Sequence, residues 1–205
     1  MRTGKIRAIW ILFLLLLTAC GAAQTVSPAE AQSRVRAAWG ADTHGVWALQ
    51  WRQMPLGGSA VFEAWTAGRA RRFEILEAPS PVLVGLVYVN DGSAAVIFNR
   101  LEESVPPVRG DGSLPFSPVT DALAAVDLLL AQSPQTVSAR AEGSITRYTF
   151  GWADGQSAKI WLDEQSARVV RLEIHTATDD ITLAARSVSP LKDIPAGLFA
   201  PNAAD

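Results

Sequence analysis

Cysteine occurs once in the 205 residues, and histidine twice. A single thiol excludes an internal disulfide, an all-cysteine zinc site and a CxxC redox pair. Basic residues are sparse and scattered: 18 Lys+Arg stand against 20 Asp+Glu, a formal −2. That excludes the basic stripe that a nucleic-acid-binding face requires. No GxSxG, HExxH, P-loop or GxGxxG sequence occurs, so hydrolase, metalloprotease and nucleotide motifs have no support. The apolar run near the start, Ala8 to Ala19, has 12 residues, where a membrane-crossing helix needs about 20. What remains, 49% hydrophobic and 19% charged, is the composition of a globular chain of one domain.

The first residues read as an export signal. Arg2, Lys5 and Arg7 precede the apolar run, and small residues precede a break at Cys20. Leu17-Thr18-Ala19-Cys20 resembles the lipobox of bacterial lipoproteins, and the chain's one cysteine stands where that motif places it. The resemblance implies cleavage after Ala19 and acylation of Cys20, with palmitate among the expected chains. A plain secretory signal with an incidental Cys20 is the alternative. Residues 1–19 are then a lipoprotein signal peptide, 20–26 a lipidated tether, and 27–205 a single domain. Cleavage removes three of the 18 basic side chains and none of the 20 acidic ones, so the formal charge moves from −2 to −5. A net-negative body is not drawn to anionic lipid, so attachment rests on the acyl chains. By the same resemblance, Gly21 permits outer-membrane sorting. In a single-membrane organism the protein would face outward from the plasma membrane.

Along the mature chain, Ser27-Pro28-Ala29-Glu30 combines a cap, an N1 proline and a capping-box glutamate. The spacing predicts a helix to Trp39, with Ala31, Val35, Ala38 and Trp39 on one face and Gly40 ending it. From Val46 the period becomes two, with Trp47, Leu49 and Trp51 sharing a strand face. Met54 to Ser59 reads as a turn region. Strands follow at 60–66, 71–77, 83–89 and 94–99, the last two joined through Asn90-Asp91-Gly92-Ser93. Leu101 to Pro118 reads as a long loop, and Pro118 to Ala131 as a second helix. Strand-like segments at 137–152, 158–162, 168–175 and 181–188 complete about nine strands, with Ile194 to Phe199 docking at one end. The order predicts an α+β fold: a strongly curved antiparallel half-barrel with two main helices over its concave face.

Several segments carry a resemblance to a known superfamily. They are Arg72-Phe73-Glu74-Ile75 before Pro79, Gly85 to Gly92, Ala158 to Asp163 with Val169 to Glu173, and the close at Ile194-Pro195 with Leu198-Phe199. In that order the chain resembles the lipoprotein-localisation carriers (LolA/LolB-like). That group includes mycobacterial lipid-binding lipoproteins and periplasmic sigma-regulator sensor domains. It departs at Arg69-Ala70, where an Arg-Pro pair is usual, and after Asp163, where a proline is usual. The resemblance implies a half-barrel with an apolar cavity that binds lipid or lipoprotein acyl chains without covalent chemistry.

On that reading the cavity is lined by Trp47, Leu49, Trp51, Phe62, Phe73, Phe98 and Trp161. Arg71 and Arg72 are candidates for a headgroup at the mouth, against the simpler reading of a solvated edge. His44 and His175 read as surface residues, although Asp179-Asp180 beside His175 invites an acid/base or metal reading. No residue is assigned a catalytic or metal-binding role, and no cofactor is expected. Expected partners are a lipid or acylated lipoprotein and, through Cys20, a membrane. The chain is expected to be a monomer that binds no nucleic acid. The rival reading is an envelope sensor or interaction module on the same fold, its cavity filled by side chains.

Overall fold

The computed structural model describes residues 26–53, 56–114, 116 and 118–200. The signal segment and Cys20 lie outside them.

Helix α1, Pro28–Trp39, begins as its sequence dictates: the Ser27 hydroxyl accepts from the Glu30 amide at 3.2 Å, and Pro28 follows the cap. Strands β1 (Thr43–Gln53), β2 (Leu56–Ala67), β3 (Ala70–Glu77), β4 (Leu86–Asn90), β5 (Ala94–Asn99) and β6 (Val108–Asp111) follow as an antiparallel meander. After helix α2, Val119–Ala131, come β7 (Thr136–Glu142), β8 (Ile145–Gly151), β9 (Ser157–Asp163), β10 (Arg168–His175) and β11 (Asp179–Pro190). All eleven strands form one unclosed sheet in the order β6-β5-β4-β3-β2-β1-β11-β10-β9-β8-β7.

That order explains the second helix. The first and last strands pair at the middle of the sheet, Leu49 opposite Leu183 and Trp51 opposite Ile181. Strands β6 and β7 are therefore the two far edges, and the chain between them must cross the whole sheet. It crosses on the concave side, carrying α2. Val119, Ala122, Val126, Leu129 and Leu130 of α2 are buried in the same core as Ala31, Val35 and Ala38 of α1. The sheet contributes alternate residues to this core, among them Phe62, Phe73, Tyr148, Phe150, Ile160, Leu172 and Leu183. Leu128, on the outward side of α2, is 65% exposed.

The nine expected strands become eleven for two local reasons. Residues 137–152 hold two strands and not one, because Gly143 takes a φ of 69° and turns the chain between β7 and β8. The expected loop at 101–118 contains β6, whose residues are all exposed. It is a short edge strand after Pro106-Pro107, with no buried alternation to betray it. Gly57 and Gly58, expected in a turn, lie within β2 opposite Arg52 and Trp51. A Cβ on Gly58 would lie 2.6 Å from the Trp51 ring, so the glycine serves close packing and not chain reversal.

A smaller cluster lies on the convex face, where Val87, Val89 and Val96 are buried with Phe98 against them. Pro195 to Leu198 of the C-terminal segment border a groove on this side with Glu63, Trp65, Arg72 and Glu74.

Candidate functional site

Three concave-face strands place aromatic rings in one continuous row. Phe62 of β2 meets Phe73 of β3 edge-on at 5.9 Å, Phe73 stacks on Tyr88 of β4 at 5.7 Å, and Tyr88 stacks on Phe116 at 5.5 Å. Phe116 precedes α2 and is buried; its amide donates to the Thr120 hydroxyl at 2.7 Å. The row therefore fixes both the wall of the concavity and the approach to the helix that crosses it.

Between this wall and the helices lies an apolar crevice. Trp47, Phe62, Ala64, Phe73, Leu183 and Val188 of the sheet face Ala38 and Trp39 of α1 and Leu123 of α2. Its cavity volume is about 60 Å³, and the whole crevice, including the part that opens to solvent, spans about 640 Å³. Polar groups gather on the same lining: Thr43, Thr66, Arg71, Asp127 and Arg168.

Two side chains of α1 tie α2 in place. Trp39 Nε1 donates to Asp127 Oδ1 at 2.8 Å. Gln32 Nε2 donates to the carbonyls of Leu130 and Gln132 at 2.7 and 2.6 Å, satisfying groups that a helix C-terminus leaves without internal partners. Trp152 Nε1 also reaches the Gln132 carbonyl, at 3.3 Å.

The expected site residues divide by strand parity. Trp47, Phe62 and Phe73 line the crevice. Leu49 is wholly buried in the adjoining core. Trp51 is half-buried at the other end of β1, in a separate depression with Pro118, Asp121, Ala122 and Ala125. Phe98 and Trp161 do not share the concave face. Phe98 packs on Val87, Val89 and Val96 of the convex cluster, and Trp161 lies under the Arg171 guanidinium at 5.1 Å. Their strand neighbours Ile97, Ile160 and Leu162 take the inward positions, since successive side chains alternate.

The same rule separates the two arginines. Arg71 points into the crevice, whereas Arg72 lies over the outward Trp65 ring at 5.7 Å. Burial lowers the Arg72 guanidinium from its ordinary value, Glu74 opposing the shift. Trp39, Asp127 and Arg168 were not singled out as site residues from the sequence. Trp39 was legible only as part of the α1 face. Asp127 is one acid on an apolar helix, and Arg168 opens a strand after a turn.

The histidines occupy the outer face. His44 stacks on Trp65 at 4.9 Å and bonds Glu63 Oε1 through Nε2 at 2.7 Å. His175 bonds Asp180, which also takes Arg52; these contacts hold the Asp180 carboxyl below its usual range. Among the described residues, no group of three or more His, Cys, Asp or Glu side chains is placed to hold a metal ion. Nor is any described helix long and apolar enough to cross a membrane.

No protein-family model matches the chain, and no curated protein matches its sequence. Its structural neighbours include a LolA superfamily protein. That protein, from Nitrosomonas europaea, has 12% identity and a TM-score of 0.44, over 82% of this chain and 96% of its own. An uncharacterized conserved protein from Thermus thermophilus has 12% identity and a TM-score of 0.49, over 84% and 93%. A putative outer membrane lipoprotein-sorting protein domain from Vibrio parahaemolyticus has 9% identity and a TM-score of 0.39, over 84% and 95%.

Proposed function

We propose that the chain is a non-enzymatic, lipid-anchored envelope protein. It takes an acyl chain of a lipid or lipoprotein between the concave sheet and α2. The observation that carries this reading is the crevice itself, in which Trp47, Phe62, Phe73 and Leu183 face Leu123 across an apolar gap. Burying each methylene of a chain there contributes roughly 0.8 kcal/mol, so affinity needs no bond-making chemistry. Cys20 supplies the anchor, on the periplasmic face of a membrane or outside the plasma membrane of a single-membrane cell. A tethered monomer of this kind accepts or donates lipid locally.

The cavity of about 60 Å³ is far below the ~300–1,000 Å³ of ordinary ligand pockets. Loading therefore requires α2 to move away from the sheet, breaking its links to Trp39 and Gln32. The same small volume favours a second reading, an envelope sensor or interaction module whose interior stays filled.

Native mass spectrometry of the full chain after gentle extraction, with lipid analysis of what it carries, separates the two. Bound lipid beyond the covalent anchor supports the carrier reading. Its reproducible absence, with no uptake of a fluorescent fatty acid, leaves the filled module.

A further inference from the structure

The crevice lining is mainly apolar, and two guanidinium groups stand on its walls: Arg71 at the start of β3 and Arg168 at the start of β10. Arg71 Nη1 donates to the Gly68 and Ala70 carbonyls at 2.7 and 3.2 Å. Arg168 Nη1 donates to the Ser166 carbonyl at 2.7 Å. Arg168 Nε is different: among the described residues it is buried with no hydrogen-bond partner. A buried N–H of a charged group without an acceptor is costly, and native proteins rarely leave one so unless something else binds it.

Among the described residues the lining holds one carboxylate, Asp127, whose Oδ1 already accepts from Trp39. The described lining thus carries one more positive than negative charge, in a chain whose overall formal charge is −2. A guanidinium fork suits the two oxygens of a carboxylate or phosphate, and desolvation by the surrounding aromatic wall strengthens such a pair.

We infer that the crevice selects an acyl amphiphile with an oxyanion head, its tail on Trp47, Phe62 and Phe73 and its head on the Arg71 and Arg168 guanidinium groups of the lining. The inference rests on the acyl-chain reading above and adds the ligand's charge. The shared chemistry is an anionic oxygen pair on an acyl chain, found in a free fatty acid and in a lysophospholipid phosphate.

The test is calorimetric titration of the delipidated full chain with palmitate, palmitoyl lysophosphatidate and hexadecanol. The expected result is about tenfold or greater preference for one or both anions over the neutral alcohol. In Arg168→Met the ratio of anion to alcohol affinity falls towards one, and Arg168→Lys restores part of it. Arg71→Met provides a second, independent lowering of the ratio, should Arg168→Met fail to fold. Whichever anion binds more tightly identifies the head as carboxylate or phosphate. Equal binding of all three ligands, or an unchanged ratio in both methionine variants, overturns the oxyanion seat while leaving the acyl-chain reading intact. Binding of none of them overturns both.

Discussion

Trp39 and Asp127, 88 residues apart in sequence, join the two helices through a 2.8 Å hydrogen bond at the lining of the crevice. Trp39 also meets the crevice residue Trp47 edge-on, ring centres 6.4 Å apart. One indole thus forms part of the apolar wall and holds the helix that covers it. Trp39→Phe keeps an aromatic ring but removes the donor, and such a bond contributes about 1 kcal/mol net. The expected outcome is faster amide hydrogen exchange in α2 with little change in β1 or β11. Unaltered protection of 119–131 would show that the bond does not restrain the helix.

Trp47 and Trp161 make a paired test of sheet parity. Trp47 is 8% exposed and faces the crevice, so Trp47→Ala should lower stability by about 3–5 kcal/mol and change uptake of a fluorescent fatty acid. Trp161 lies on the outer face beneath Arg171, a contact worth about 0.5–1 kcal/mol when exposed. Trp161→Ala should lower the denaturant midpoint only slightly and leave uptake as it was. An equal loss of uptake in both variants contradicts the concave site.

Acid sensitivity follows from the turns. Asp91 accepts from the Ala94 and Ser93 amides and the Ser93 hydroxyl, Asp111 from Ser113, and Asp163 from the Ser166 hydroxyl and the Gln165 amide. These bonds hold all three carboxyls below their usual range, as the His175 and Arg52 contacts do for Asp180. A carboxyl with a depressed folded-state pKa stabilises the fold above its unfolded value of about 3.9 and loses that contribution as pH falls through the lower, folded value. Urea midpoints from these groups should be flat between about pH 5 and 7 and fall below about pH 4. Asp91→Asn should flatten part of that fall, and an identical pH profile in the variant would count against the assignment.

Cys20→Ser removes the proposed acylation site. The expected outcome is loss of metabolic palmitate labelling and of the membrane-associated fraction. Continued labelling of the variant would place the acyl chain on a residue other than Cys20.

Local signals were legible wherever a turn or a cap decided the structure. Ser27 and Pro28 open α1 through the cap hydroxyl and the fixed proline φ, Gly40 closes it with its amide donating to the Arg36 carbonyl, and Asn90 to Ser93 form the hairpin between β4 and β5, with Gly92 at a φ of 95°. The reading failed where one residue type has two uses. Gly58 accommodates a tryptophan ring instead of a turn, and Gly143 turns the chain inside a segment whose strand pattern looked continuous. Phe98 and Trp161 show the same limit in the site. Both are aromatic and both lie on strands, but a residue's face depends on register, and the apolar neighbours Ile97, Ile160 and Leu162 leave the parity open.

By itself the sequence determined the class of fold, the two helices and most of the strands, because these depend on periodicity and on cap and turn residues within a few positions. Tertiary structure decided what the interior can do. Pairing β1 with β11 sends β6 and β7 to opposite edges, and that forces α2 across the concave face. Only this crossing brings Asp127 to Trp39 and sets Arg71 and Arg168 on the walls of one apolar crevice. Those residues come from distant parts of the chain, and no local pattern records their meeting.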